Sequence, residues 1–470
     1  MQQILDLHIH SKYSRSCSSQ LTLENIDRVC RSKGVDIVAT GDFTFPQWFS
    51  EIKDKLEEYV LPQTASSTPP TLLVPPERRA GRGAGEGRGL YILKTAKDDK
   101  IKFILSTEVA LIYKDGDKVR RIHLMLQVPN TKAVEDLNNF LDKKYNIRSD
   151  GRPILGMTAP DLMKLCLSIH PKFLIYPAHI WTPWFAVFGS KSGFDSLEEC
   201  FKEYSKDVYA IETGLSSDPA MNWRLSALDK LTILSNSDAH SLPNIGREAN
   251  VFEMKEITYN KIYEIIKDKM IYPENKILDS HLRGNDSGVK YTIEFYPEEG
   301  MYHYDGHRLC GIRFTPEQTR KNKGICPVCK KPLTIGVMNR VEQLADRPAF
   351  APATAGKPIG LNPPLGQAGF VKLVELDKII AEAMEVKSRH SIKVQQEYNN
   401  LIKQGESELS ILLNLDLAKL KEITLPEIAE GIKRVREGQL VIEPGFDGQY
   451  GIIKIFRNEE KLINKQKSLF

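Results

Sequence analysis

Along roughly the first 290 residues, short apolar runs alternate with stretches of helical spacing. The runs fall at residues 4–9, 35–40, 102–109, 121–128, 173–178, 208–213 and 231–235. Most are unbroken apolar segments, the pattern of strands buried on both faces of a parallel sheet. Between them lie amphipathic segments such as LTLENIDRVCRSKG, where Ile26, Val29, Cys30 and Lys33 recur at helical spacing and Gly34 supplies a stop. Strand and helix in alternation predict an α/β domain, either open or closed into a barrel.

The pattern then breaks in places that set the organisation. Residues 61–89 are rich in Pro, Gly, Ser and Arg and have too little apolar content for a core, which predicts a flexible surface insertion. Its arginines are candidate phosphate contacts, with a plain solvated loop as the simpler reading. Cys, His and Gly cluster in residues 300–345, and 346–369 reads as a Pro/Gly-rich linker. Residues 370–438 are helical in spacing, with Pro426 suited to a first turn and Gly438 to a stop. Alternation in 440–456 around Pro444-Gly445 and Asp447-Gly448 predicts a β-hairpin. The expected units are an α/β domain over 1–290, a small module over 300–345, a helical region with a terminal hairpin over 370–458, and a tail over 459–470.

Composition narrows the class. The 470 residues are 41% apolar and 27% charged, as in soluble globular proteins. No apolar run approaches the ~18 residues needed to span a bilayer. The opening MQQILDLHIHSKYS lacks the basic start, apolar stretch and cleavage site of a signal peptide. Of seven cysteines, four are scattered and three cluster, which argues against a disulfide scaffold and for a reducing, cytoplasmic setting with a metal site. A net charge of +4 is too small to signal nucleic acid by itself, so any basic surface must be local.

Candidate chemistry lies where the histidines and acids fall. His8 and His10 end the first run, Asp42 follows the second, and Glu108 ends the third. His123 opens the fourth, His179 follows the fifth, and Asp238 and His240 follow the last. Side chains two apart on a strand share a face, so His8 projects with His10 and Asp238 with His240. Strand ends in α/β barrels converge on one face, which brings these distant residues together. Imidazoles with carboxylates suit Zn²⁺, Mn²⁺ or Fe²⁺, and more than four ligands imply more than one metal. Such a cluster can clamp a phosphoryl group. Downstream, His307-x2-Cys310 and Cys326-x2-Cys329 form two knuckles separated by fifteen residues, which predicts a zinc ribbon folded by one structural zinc. His303 competes with His307 as its first ligand. Arg308, Arg313, Arg320, Lys321, Lys323, Lys330 and Lys331 surround it, either as a DNA-facing surface or as a solvated face.

The motifs DLHIH, TGD, STEV, the single His123, PAH and SDAH resemble those of the polymerase and histidinol phosphatase (PHP) family. That resemblance implies a distorted (β/α)7 barrel holding two or three catalytic divalent metals (Zn, Mn or Mg). By family correspondence His8, His10, Glu108 and Asp238 hold one metal, and Glu108 bridges to a second held by His123 and His179. A third uses Asp42 and His240. Family members often carry a further His where Ser16 lies and a His where Asp42 stands, so the third site is weaker or differently built here. A PHP barrel followed by a ribbon and a helical region, with TGDFTFPQW, PAHIWTPW, ETGLSSDPAM, LSNSDAHS and NIGREANVFE in order, is similar to the endonuclease Q family. This implies a DNA-repair endonuclease that cuts 5′ to deaminated bases (hypoxanthine, uracil, xanthine) or abasic sites and leaves a 3′-hydroxyl. The alternatives are a PHP phosphatase or exonuclease and a non-catalytic DNA-binding adaptor. Trp181, Trp184, Ser216, Ser217 and Arg247 are the candidate DNA or base contacts. Gln466, Leu469 and Phe470 partly match a sliding-clamp-binding peptide.

Overall fold

The structure is a computed structural model that describes residues 1–60, 88–272, 287–349 and 363–457. Most of the predicted insertion, part of the linker, His281, and the tail with Gln466, Leu469 and Phe470 lie outside the described residues.

The predicted α/β character is observed. Strands β1 (Gln2–Asp6), β2 (Ile37–Ala39), β3 (Leu56–Glu58), β4 (Leu90–Leu93) and β5 (Lys102–Ile104) come first. They are followed by β6 (Ser106–Asp115), β7 (Lys118–Gln127), β8 (Ile154–Leu155) and β9 (Leu174–Pro177). Then come β10 (Ala210–Glu212), β11 (Thr232–Leu234), β12 (Ala249–Glu253) and β13 (Gly288–Glu294). The helix Leu23–Lys33 is capped by the Thr22 side chain at one end. At the other, Gly34 takes the left-handed conformation (φ 88°) that a residue with a Cβ adopts only under strain.

The strands are not all parallel, contrary to the reading of the unbroken apolar runs. β1–β2–β5 and β10–β11 pair in parallel, but β1–β12, β12–β13, β6–β7 and β7–β9 pair antiparallel. Residues 102–109, predicted as one strand, divide between β5 and β6. β6 then turns straight back into β7 through Gly116 (φ 59°) as a hairpin. Burial on both faces made these strands apolar whatever their direction. Among the described residues the ladders form one eight-stranded sheet, one four-stranded sheet (β8-β6-β7-β9) and small pairs.

Further along the chain, β14 (Asp305–His307) and β15 (Ile312–Phe314) pair antiparallel as a short hairpin. β16 (Gly369–Lys372) then returns to pair in parallel with β13, so the helical region enters as an edge strand of the large sheet. The helices that follow dock back on the first helix, where a buried Lys33–Glu408 ion pair of 2.7 Å joins them. Helix Pro426–Glu437 ends at Gly438 (φ 67°), and β17 (Val441–Glu443) pairs antiparallel with β18 (Ile452–Lys454).

Two buried carboxylates beside this junction have a consequence for stability. Glu248 and Glu294 are fully buried, and each keeps one carboxylate oxygen without a hydrogen-bond partner. Burial raises both, Glu294 from 4.5 to about 8. A folded-state pKa above the unfolded one means stability is fully present below about pH 4.5 and declines as pH rises towards 8. Thermal unfolding followed across that window is expected to show a falling Tm, and Glu294→Gln should flatten the slope.

Candidate metal centre and adjoining cavity

The ends of β1 and β11 place four of the predicted residues. Ile9 and Ala239 form a parallel bridge, and His10 N–H donates to the Ala239 carbonyl at 3.1 Å. Ile9 and Ala239 point into the core, so their neighbours His8, His10, Asp238 and His240 project to the opposite side. The β6–β7 hairpin adds two more. Glu108 pairs with Met125 and Ala110 with His123, which makes Glu108 and His123 diagonal neighbours on one face. Glu108 Oε1 lies 2.7 Å from His123 Nδ1 and 2.9 Å from His179 Nε2. Its Oε2 lies 3.4 Å from His10 Nε2 and 3.9 Å from His8 Nε2. Glu108 therefore stands between two sets of imidazoles.

Three groupings have donor atoms close enough to share a cation: His8, His10 and Glu108; His10, Asp238 and His240; and Glu108, His123 and His179. Three residues of the site region, Asp42, His179 and Asp238, have positive φ (48°, 31° and 46°). Each such conformation costs about 1–3 kcal/mol in a non-glycine residue, so the surrounding fold must hold them there.

Asp42 departs from the expected ligand role. Its Oδ1 lies 3.1 Å from His10 Nδ1, and its Oδ2 accepts from Ser11 N, Ser11 Oγ and Ser14 Oγ at 2.7, 2.7 and 2.9 Å. Both oxygens are engaged by protein, so Asp42 orients His10 from behind. Glu212, which the sequence reading passed over, does the same for His8. Both its oxygens lie 3.1 Å from His8 Nδ1, and it also accepts from His179 N–H at 2.9 Å and Asn236 Nδ2 at 2.8 Å. A carboxylate facing Nδ1 fixes the proton there and leaves the Nε2 lone pair facing the cluster. His8 Nε2 is buried and has no hydrogen-bond partner, as expected of an atom placed for a cation. Glu212→Gln is expected to weaken metal binding about 10- to 100-fold with the fold intact, read by titration calorimetry with Mn²⁺.

The electrostatics also favour cations. Burial opposes a charge on His8, yet Glu212, Asp238 and Glu108 outweigh it and raise its pKa to about 9. His10 is raised in the same way, chiefly by Asp42. Glu108 and Asp238 are held well below the carboxylate range despite burial. Burial lowers His123 to about 4 although Glu108 opposes it. Burial lowers His240 too, and its Nδ1 lies 2.8 Å from the Asp238 carbonyl, an acceptor that requires the proton on Nδ1. Neutral His240 thus offers a lone pair on Nε2, which suits a ligand or a proton acceptor. Carboxylates that hold protons on His8 and His10 would hold divalent cations in their place.

A cavity of about 740 Å³ adjoins His240. Trp184, Ser216 and Arg247 line it together with Phe295, Tyr302, Lys378 and Tyr450, so the helical region and terminal hairpin close its far wall. Trp184 is 40% exposed and packs edge-on against Tyr302. Arg247 is tied by Nε and Nη2 to the Ser237 carbonyl. Two predicted contacts are not in this cavity. Trp181 is fully buried with its Nε1 donating to Asn222 at 2.7 Å, and Ser217 is buried with its hydroxyl donating to the Thr213 carbonyl at 2.8 Å. Both serve the core, and Asp218 caps the helix at Pro219.

In the segment predicted as a zinc ribbon, the donor atoms of His307, Cys310, Cys326 and Cys329 lie within 4.8 Å of one another. Each knuckle puts the residue after its second ligand, Gly311 or Lys330, in the left-handed region (φ 64° and 61°). His303, the competing candidate, is buried outside this group. The donor set suits a closed tetrahedral zinc site. Cys17, Cys30, Cys166 and Cys200 are free thiols, the last three buried.

A family profile described as the MJ0043 C-terminal domain matches residues 375–439. An uncharacterized protein of Methanocaldococcus jannaschii, MJ0043, is 32% identical over 280 residues, covering 58% of this chain and 31% of that protein. The chain thus spans under a third of that relative's length. Bacillus subtilis YqxK, also uncharacterized, is 26% identical over 335 residues, covering 71% of this chain and 74% of its own. Among solved structures, the lesion-specific endonuclease PfuEndoQ from Pyrococcus furiosus superposes with a TM-score of 0.75 at 26% identity, covering 99% of both chains. Endonuclease Q in complex with a 27-mer duplex bearing an abasic lesion at the active site matches at the same TM-score and identity over 98% of both. Over 98–99% of its length, the chain superposes on solved endonuclease Q structures and shares their architecture.

Proposed function

We propose that this chain is a metal-dependent DNA-repair endonuclease that hydrolyses the phosphodiester 5′ to deaminated bases (hypoxanthine, uracil, xanthine) or abasic sites, leaving a 3′-hydroxyl. The observation that carries the reading is a ligand cluster with an orphaned His8 Nε2, beside a 740 Å³ cavity, in a chain that superposes end to end on endonuclease Q. The barrel reading of residues 1–290, the zinc ribbon over 300–345 and the helical region over 370–458 belong to the same proposal.

His8, His10, Glu108 and Asp238 would hold one divalent cation, and Glu108 with His123 and His179 a second. His240 with His10 and Asp238 would supply any third. Bound cations supply Lewis acidity, which lowers the pKa of an attacking water and offsets phosphate charge. Glu212 and Asp42 hold His8 and His10 in the tautomer that presents Nε2. The cavity wall of Trp184, Phe295, Tyr302 and Tyr450 offers aromatic faces to a base turned out of the stack, and Ser216 offers a hydroxyl to its edge. Gln466, Leu469 and Phe470 are read as a partial contact for a sliding clamp.

A supercoiled plasmid containing scattered uracil tests the reading. The expected result is conversion to nicked circle with Mg²⁺ or Mn²⁺, none with EDTA, and none on a uracil-free plasmid. Release of mononucleotides from linear DNA would favour an exonuclease, and binding without cleavage in every metal a non-catalytic adaptor.

A further inference from the structure

We infer that Arg152 is a catalytic residue of this centre: its guanidinium rests on Glu108 and moves to the non-bridging oxygens of the scissile phosphate in the working complex. The inference rests on the phosphodiesterase reading of the site. Arg152 Nη1 donates to Glu108 Oε2 at 2.9 Å, and Glu108 is its one side-chain hydrogen-bond partner among the described residues. No other Lys or Arg among them forms an ion pair with Glu108, Asp238 or Asp42. The residue is aimed by a braced loop. Arg152 N–H donates to Asp150, Gly151 N–H donates to the Tyr13 carbonyl, and the Pro153 carbonyl accepts from Ala110 on β6. A Cβ on Gly151 would sit 2.5 Å from Asp42 Oδ2 and Ser14 Oγ, so the loop packs directly against the residues that orient His10.

A permanent positive charge beside a shared carboxylate is a poor choice for a site that only binds cations. It repels them, and a guanidinium cannot ligate a metal. The same group suits a phosphate. Its planar fork matches two phosphate oxygens, most of its donors are unclaimed, and its side chain is 25% exposed and so within reach of a ligand. Cations sharing Glu108 would divide that carboxylate's charge and weaken its hold on Arg152. The guanidinium is then free for the phosphate, where extra negative charge develops as the bond breaks.

Full-length Arg152→Gln and Arg152→Lys test this. Mn²⁺ binding is read by calorimetry and nicking by steady-state kinetics on uracil-containing duplex at several salt concentrations. Arg152→Gln should bind Mn²⁺ as tightly as the parent or more tightly, while kcat falls on the order of 10²-fold. The log–log salt slope of DNA binding should drop by about one. Arg152→Lys should recover part of the rate. Loss of Mn²⁺ affinity with activity restored by excess Mn²⁺ would make Arg152 a mere support for Glu108 and overturn the inference, as would unchanged kcat. If Arg152→Gln fails to fold, the lysine variant decides: reduced kcat at unchanged Mn²⁺ affinity supports the inference, and parental kcat overturns it. If the parent protein does not nick damaged DNA at all, the functional reading fails instead, and hydrolysis of bis(p-nitrophenyl) phosphate then tests Arg152 alone.

Discussion

Glu108→Gln is expected to lower nicking on the order of 10³-fold or more and to leave a folded protein that binds fewer divalent ions. Among the described residues, the Glu108 carboxylate is the one acid within ion-pair distance of both sets of imidazoles, through Oε1 to His123 and His179 and through Oε2 towards His8 and His10. Glutamine keeps the shape but removes the charge and turns one acceptor into a donor that faces imidazole nitrogens. The loss should therefore exceed that of Glu212→Gln, which acts only through His8 and His179. Metal content after dialysis, circular dichroism and nicking rate together check it. Full metal content with lost activity would move Glu108 from ligand to another role.

The second large effect belongs to the ribbon. Cys326→Ser is expected to abolish zinc binding by the ribbon and to unfold it, because a structural zinc site contributes roughly 10–16 kcal/mol of apparent binding energy to a module too small to bury a core. The consequences should reach the cavity. Buried Asp305 accepts from Thr319, Gly336 N–H and Asn339, which ties the ribbon to the helix behind it. Asp447 accepts from Arg308 N–H and Thr334, which ties the terminal hairpin to the ribbon. Tyr302 and Tyr450, on either side of these ties, line the cavity. Unfolding the ribbon should thus weaken DNA binding and loosen the cavity wall while the first domain keeps its structure. Zinc content measured by absorption spectrometry and limited proteolysis check the outcome, and unchanged zinc would remove Cys326 from the ligand set.

How much of this was legible in the sequence depends on the kind of signal. His8 with His10 and Asp238 with His240 were legible because spacing by two on a strand fixes a shared face whatever the sheet direction. The cluster of His307, Cys310, Cys326 and Cys329 was legible because its members come in local pairs. Strand direction was not legible, since β6 and β7 are apolar through burial and not through parallel pairing. Glu212 and Arg152 left no local mark. One sits at the end of an ordinary apolar run and the other in a turn, and their roles exist only through partners at least 24 residues away. Asp42 was placed at the right site but in the wrong direction, because a carboxylate behind an imidazole and one beside a metal look the same in one dimension. Trp181 and Ser217 were misread as contacts because adjacency to a site residue does not show which way a side chain turns.

The most direct test of the central claim is the product made from an end-labelled duplex carrying a single inosine. With Mn²⁺, one labelled fragment ending in a 3′-hydroxyl immediately 5′ to the inosine is expected, absent with EDTA, with Asp238→Ala and on the undamaged duplex. A ladder of end-resected products, or equal cutting of the undamaged duplex, would contradict it.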